Sequence, residues 1–237
     1  MSDRNVSRVI VLSGGMDSAV ALWWAKQQGH VAHAVSIDYG QRHRKEIQYA
    51  AHLSSLTNTP HTVVDMCSLK GLLPGSALTD DSVDIPKGHY ADPTMRATVV
   101  PNRNMVLLSV AVAAAGAHDA THVVYGAHAG DHPIYPDCRP EFIEAMRRAC
   151  SVCWYEPIEL EAPFVDKTKA EVAALGEALG VPWEATWSCY EGGDTHCGIC
   201  GTCVERREAF HLAEVHDPTV YLDRTPIEQL VGICGED

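Results

Sequence analysis

The stretch VIVLSGGMDS, residues 9–18, restricts the fold of this chain more than any other. An apolar run breaks at Ser13-Gly14-Gly15, and the chain resumes at Met16 with residues that suit a helix. A buried strand, a tight turn and a helix start in that order open a βαβ unit, in which the helix covers a parallel sheet. Gly14 and Gly15 admit positive φ and a close backbone approach. Ser13 and Ser18 add hydroxyl donors, and the helix start turns unpaired N–H groups toward an anion. Leu12, Ser13, Gly14, Gly15, Met16, Asp17 and Ser18 are therefore candidate phosphate-binding residues. Asp17 suits the positive end of the helix dipole, yet it repels a phosphate unless it turns aside or shares a cation. A plain Gly-Gly turn with a Ser/Asp cap is the competing reading, and the full S-G-G-x-D-S after a buried strand argues against it. The lysine that reaches a γ-phosphate in common triphosphate-binding loops is missing, so this loop suits a departing pyrophosphate.

The rest of the chain continues the alternation. Strand patterns cover 9–12, 31–37, 61–64, 121–125 and 158–160; helix patterns cover 17–28, 43–56, 104–116, 140–150, 166–179 and 204–213. This predicts an α/β fold with a doubly wound, mainly parallel five-stranded sheet. Residues 68–100 are rich in Pro, Gly and Asp and predict a long surface loop, of the kind that is usually functional or mobile. At 237 residues the chain suits one domain with a substantial core. Residues 1–185 are read as that α/β domain, and 186–237 as a C-terminal segment with helices packed on it.

Net charge bounds the partners. At −13 the chain is a poor match for a nucleic-acid backbone. No apolar run approaches the ~20 residues that span a bilayer, and MSDRNVSR has no apolar signal-peptide core. The expectation is a cytoplasmic protein without a membrane or nucleic-acid partner. In a reducing compartment its nine cysteines point to metal ligands or core thiols.

Four of these cysteines form a pattern, Cys189-x7-Cys197-x2-Cys200-x2-Cys203. Gly198 and Gly201 leave room for thiolates to converge, and four thiolates suit a tetrahedral Zn²⁺. Unligated thiols or an iron–sulfur centre are the competing readings. A closed four-sulfur sphere has no vacant position for substrate, so the expected role is structural. Cys150-x2-Cys153 has similar spacing but lies at a predicted helix end without nearby partners, which favours core packing. His196, beside a ligand, is read as a bystander.

Further segments fall at predicted strand ends, where a doubly wound sheet binds ligands. They are DYGQRH with Tyr39, Gln41 and Arg42; VPNRN with Arg103; GAHAGD with Asp131; and YPDCR with Tyr135, Asp137 and Arg139. Lys167, just inside a predicted helix start, is placed to reach phosphate oxygens.

The loop resembles that of the ATP pyrophosphatase (PP-loop) superfamily. Together SGGMDS, DYGQRH, VPNRN, YPDCR, TWSCY and CGICGTC, the last running into Arg206 and Phe210, resemble the 7-cyano-7-deazaguanine synthase family of queuosine biosynthesis. The resemblance runs from residue 13 to 210 and implies an adenine nucleotide alpha hydrolase-like fold. It implies a ligase that uses ATP, Mg²⁺ and ammonia to turn 7-carboxy-7-deazaguanine into the nitrile through an adenylated carboxylate, an amide and an adenylated amide. It also implies resident Zn²⁺. On that reading Asp17, Arg103 and Lys167 act on the phosphates, Asp131 holds Mg²⁺, and Asp137, between Tyr135 and Arg139, accepts from the guanine-like base. Tyr39, Gln41 and Arg42 join the nucleotide site, and a homodimer is entertained. The chain departs from the family at Ile134, commonly glycine, and at GAHAGD, which lacks the cysteine and carboxylate often found there. Three alternatives stay open: the same chemistry stopping at 7-amido-7-deazaguanine, a tRNA-modifying PP-loop enzyme, and a non-catalytic nucleotide-binding module.

Overall fold

The computed structural model describes residues 6–90 and 92–231. Five parallel strands, β1 (Ser7–Val11), β2 (His30–Asp38), β3 (His61–Asp65), β4 (His122–Val124) and β5 (Glu159–Glu161), form one sheet in the order β3-β2-β1-β4-β5. The order runs outward from β1 to β2 and β3 on one side, and to β4 and β5 on the other. The crevice of such a sheet opens between β1 and β4, beyond their carboxyl ends. The SGGMDS turn stands there. Helices α1 (Met16–Gln28), α2 (Lys45–Leu56), α3 (Arg103–Ala117), α4 (Pro140–Cys150), α5 (Lys169–Leu179), α6 (Gly201–Leu212) and α7 (Ile227–Val231) complete the fold.

The central strands are buried on both faces, which explains their continuous apolar runs. Val9, Val11, Val35 and Ile37 pack on one side against Leu108 and Ala111 of α3 and Ile143 and Met146 of α4. Ile10, Leu12, Ala34 and Val124 pack on the other against α1, α2, α5 and α6. Gly176 of α5 is required there, because a Cβ would stand 2.2 Å from the Trp183 ring. Trp183 in turn meets Phe210 of α6 edge-on at 4.9 Å. Burying each such side chain contributes on the order of 2–3 kcal/mol, and here it ties the C-terminal segment to the sheet. Arg206, fully buried, adds an ion pair to Asp217 at 3.2 Å and donates to Thr186 Oγ1 at 2.7 Å and to the Trp183 carbonyl at 3.2 Å.

Several boundaries differ from the sequence expectation, for local reasons. The helix expected from 166 begins at Lys169, because Thr168 and Glu171 form a reciprocal capping box. The helix expected from 43 begins at Lys45, because the side chain of Gln41 is spent on the preceding turn. The helix expected from 204 already starts at Gly201, and α7 supplies a second helix in the C-terminal segment for which no bounds were expected. Segment 68–100 holds two short 3-10 turns, Cys67–Leu72 and Pro93–Thr98, and it is anchored rather than loose. Leu78 and Thr98 are fully buried, the Ala77 N–H donates to the Ala97 carbonyl at 2.7 Å, and the Gly88 N–H donates to the Ile199 carbonyl at 2.9 Å. The C-terminal residues 232–237 of the expected second segment lie outside the described residues. No helix among the described residues is long and apolar enough to cross a membrane.

Candidate active site

The turn between β1 and α1 is built by its own hydroxyls. Ser18 Oγ accepts the N–H groups of Ser13 and Gly14, each at 3.2 Å, and donates to the Gly15 carbonyl at 3.0 Å. Ser13 Oγ accepts the Gly15 N–H at 3.2 Å. Gly14 has φ +91°, and a Cβ there would lie 2.1 Å from the Glu46 carbonyl oxygen of α2. Gly15 caps α1 with no side-chain bond, which leaves the first-turn amides to an anion. Leu12, Ser13, Gly15, Met16, Asp17 and Ser18 line the cleft; Gly14 shapes it from behind.

A charged cluster faces this turn. Lys169 Nζ is 2.6 Å from Asp17 Oδ2, 3.3 Å from Glu205 Oε2 and 3.1 Å from His128 Nε2. His128 Nε2 also lies 3.4 Å from Asp131 Oδ2, and Tyr90 donates to Asp131 Oδ1 at 3.2 Å. Burial disfavours the Asp17 carboxylate, but Lys169 and His128 outweigh it and hold the group below its ordinary range. Burial likewise disfavours the Lys169 ammonium, yet Asp17, Glu205 and Asp131 raise it. Glu205 is pushed up, chiefly by burial, which Lys169 and His128 offset only in part. Three carboxylates thus share one ammonium. Asp17 Oδ1 is buried and, among the described residues, has no hydrogen-bond partner, with His128 Nε2 standing 3.8 Å from it.

On the far side of the cleft stand Tyr39, His43, Glu46, Arg103 and Tyr135. Arg103 lies over the Tyr135 ring, 5.6 Å from its centre, and reaches Tyr39 OH at 3.5 Å. Among the described residues it has no carboxylate partner, so its charge is open to a phosphate. His43 is held neutral, its pKa lowered to about 3 by burial and by Arg103 and Arg42.

Not every residue expected at the site reaches it. Lys167 does not line the cleft; with the helix starting later, Lys169 is the lysine that does. Gln41 braces the turn after β2, accepting the Tyr39 N–H at 2.9 Å. Arg42 clamps segment 68–100 through the Val83 carbonyl at 2.9 Å and Asp81 at 3.4 Å. Asp137 accepts the Asn104 N–H at 2.9 Å and so fixes the start of α3, and Arg139 donates to the His132 carbonyl at 2.9 Å. Lys169, His128, Glu46, Tyr90 and Glu205 come instead from five separate elements or turns, and nothing local in the sequence brings them together.

The four cysteines do converge. The sulfurs of Cys189, Cys197, Cys200 and Cys203 all lie within 4.8 Å of one another, against about 3.8 Å for an ideal Zn–S tetrahedron. The N–H groups of Cys197 and Cys200 point at the sulfurs of Cys189 and Cys197, each at 3.3 Å, as thiolate ligands require. This arrangement can hold a metal ion such as zinc. His196 accepts the Ser188 N–H at 3.2 Å and packs on Trp187, outside the sulfur cluster. Cys150 is buried and Cys153 exposed at the end of α4, apart from the four.

The family model described as queuosine biosynthesis protein QueC matches residues 7–214. Two relatives named 7-cyano-7-deazaguanine synthase are each 51% identical. The one from Rhizobium johnstonii aligns over 91% of this chain and 92% of its own length, and the one from Caldicellulosiruptor saccharolyticus over 90% and 94%. Among solved structures, NMN synthetase from Francisella tularensis is 18% identical over 88% of this chain and 77% of its own, with a TM-score of 0.45. The family model over residues 7–214 and this degree of identity along nearly the whole chain agree: the chain belongs to the QueC family of 7-cyano-7-deazaguanine synthases.

Proposed function

We propose that this chain is an ATP-dependent ligase that converts 7-carboxy-7-deazaguanine and ammonia to 7-cyano-7-deazaguanine, releasing AMP and pyrophosphate twice. The observation that carries the reading is the SGGMDS turn at the mouth of the cleft, with Lys169 on one side and Arg103 on the other and no lysine in the loop itself. The substrate carboxylate attacks the α-phosphorus, and pyrophosphate leaves toward the free first-turn amides of α1. Ammonia displaces AMP from the acyl adenylate and loses a proton to give the amide. The amide oxygen is then adenylated in its turn; loss of AMP and of the remaining N–H proton leaves the nitrile. Positioning and charge neutralisation do most of this work. Arg103 and Lys169 supply cationic charge from fixed places, and the buried cleft wall excludes competing water.

Mg²⁺ fits the donor set, since Asp17 Oδ1 is an orphaned buried oxygen and Asp131 stands across the cluster from it. Asp17 and Asp131 would hold the ion, which when bound neutralises phosphate oxygens. Zinc fits the four cysteines, and its role there is structural because all four positions belong to the chain.

Support comes from incubating the purified protein with 7-carboxy-7-deazaguanine, ATP, Mg²⁺ and ammonium, followed by mass spectrometry and nucleotide analysis. AMP and pyrophosphate are the expected products. ADP and phosphate as the stoichiometric products overturn the reading of the loop.

A further inference from the structure

The carboxylates at the cleft fall into two groups. Asp17, Asp131 and Glu205 gather around Lys169, while Glu46 stands apart in the first turn of α2, beside Tyr39, His43 and Arg103. The Glu46 side chain is only 14% exposed. Its Oε1 is held in place, accepting from Gln41 Nε2 at 3.1 Å with His43 Nε2 at 3.4 Å. Oε2 has no hydrogen-bond partner among the described residues. The carbonyl of Glu46 is packed under Gly14, so the residue is fixed at its backbone as well. Flat groups surround it: Tyr39 lines the same end of the cleft, Tyr135 lies under Arg103, and Tyr190 packs on His43 with ring centres 5.2 Å apart.

A half-buried carboxylate at the cleft wall, with one oxygen anchored and the other without a partner among the described residues, has room for donors from a ligand. We propose that Glu46 reads the substrate heterocycle, its carboxylate accepting from the adjacent ring N–H and exocyclic amine of a guanine-type edge. This rests on the substrate assigned above. Two neighbouring donors match the two oxygens of a carboxylate. An adenine edge does not, because its amine sits beside a ring nitrogen whose lone pair faces the carboxylate. Glu46 therefore sorts the two heterocycles that this cleft must hold together, admitting the deazaguanine and turning the adenine of ATP to another part of the site. Asp137, the residue the sequence suggested for this task, is committed to the Asn104 N–H. The raised pKa of Glu46, about 7 through burial, is consistent with a carboxylate that lacks donors in the free protein, since the bond from Gln41 and the charge of Arg103 compensate it only in part.

The test pairs a residue with a ligand group. Steady-state constants are measured for wild type and Glu46→Gln with ATP, with 7-carboxy-7-deazaguanine and with the analogue carrying hydrogen in place of the exocyclic amine. Wild type is expected to lose roughly 10–100-fold in kcat/KM on the analogue, the range for a hydrogen bond to a buried charge. Glu46→Gln is expected to lose a similar factor on the full substrate and to discriminate between substrate and analogue less than about 3-fold. KM for ATP should stay within about 2-fold. If Glu46→Gln does not fold, Glu46→Asp, which withdraws the carboxylate by one methylene, carries the same comparison. Undiminished discrimination in the active variant, or an effect confined to the KM of ATP, overturns the assignment alone. A wild-type protein that does not turn over 7-carboxy-7-deazaguanine at all overturns the proposed function and the assignment with it.

Discussion

Lys169 at the start of α5 meets Asp17 at the start of α1, Nζ to Oδ2, at 2.6 Å. Both residues line the cleft, and under the proposed function the pair answers the difficulty of an acidic residue beside a phosphate. Asp17 does not face an anion bare, because its charge is shared with a buried ammonium that also serves Glu205 and His128.

Lys169→Met should therefore lower the rate of AMP release by at least about 100-fold, the scale for removing one preorganised charge from a reacting phosphate. It should also lower the melting temperature, because Asp17, Asp131 and Glu205 lose their ammonium. Lys167→Met should stay within about 3-fold of wild type in rate. Initial rates for the two variants side by side decide the matter, and the reverse order would return the role to Lys167.

The contrast between these lysines shows what the sequence made legible. Strand positions were readable because strands buried on both faces are continuous apolar runs, and β1, β2 and β4 are such strands. The SGGMDS turn was readable because the residues that build it are consecutive. Which lysine enters the cleft was not, because it turns on where α5 begins, and the Thr168–Glu171 box moves that start. Glu46, His128 and Glu205 could not be found from spacing at all, since 82 and 77 residues separate them in turn. Conversely Gln41, Arg42, Asp137 and Arg139 sit in matching motifs but spend their side chains on turns and helix starts. A motif locates a segment, and only packing decides which of its side chains faces the cleft.

Gly14→Ala should destabilise the protein by about 2–4 kcal/mol, from the strain of a side chain at positive φ and the clash with the Glu46 carbonyl. For a chain of this size that is a fall in Tm of roughly 5–15 °C. At Gly15 the nearest atoms to an added Cβ are 3.4 and 3.6 Å away, so Gly15→Ala should be much milder. Thermal melts compare the two, and equal losses would remove the steric argument.

Metal analysis should find about one zinc per chain. Cys197→Ala should lose it and melt lower, whereas Cys150→Ala should keep it. Activity should fall with the zinc, because the knuckle carries the Ile199 carbonyl that anchors segment 68–100, and Thr202 and Glu205 follow it into the cleft. Retention of metal by Cys197→Ala and its loss from Cys150→Ala would reverse the ligand assignment.

Glu46 also predicts a pH signature. Gln41, His43, Arg103, Asp38 and Tyr39 face it; burial dominates and raises its carboxyl from 4.5 to about 7. A carboxyl whose folded pKa lies above its unfolded value binds its proton more tightly when folded. Its contribution is fully present below pH 4.5 and is lost as pH rises through 7. Without substrate, Glu46→Gln should match wild type in unfolding free energy near pH 4.5 and exceed it at pH 8, by at most about 3 kcal/mol. A difference between the two proteins that is the same at both pH values would contradict this.

The last prediction concerns where the reaction stops. In the proposed sequence the amide oxygen is a weaker nucleophile than a carboxylate, so the second adenylation would depend more on positioning than the first. Ile134 and GAHAGD, where the resemblance drawn from the sequence implied a departure, lie close to that geometry in the sequence. Ile134 is instead buried in the core and does not line the cleft, and its N–H donates to the Asp131 carbonyl at 3.1 Å. His128 is almost wholly buried, with Nδ1 accepting the Gly130 N–H at 3.1 Å and Nε2 set between Lys169 and Asp131. These contacts hold the cluster in place, so wild type should carry the amide through to the nitrile. In a time course by mass spectrometry with excess ATP and ammonium, 7-amido-7-deazaguanine should rise and then disappear. His128→Ala removes the ring that spaces Lys169 from Asp131 and should slow the second step more than the first, so that the amide accumulates. An amide that reaches a permanent plateau with wild type would make the amide the product and leave the adenylation chemistry standing.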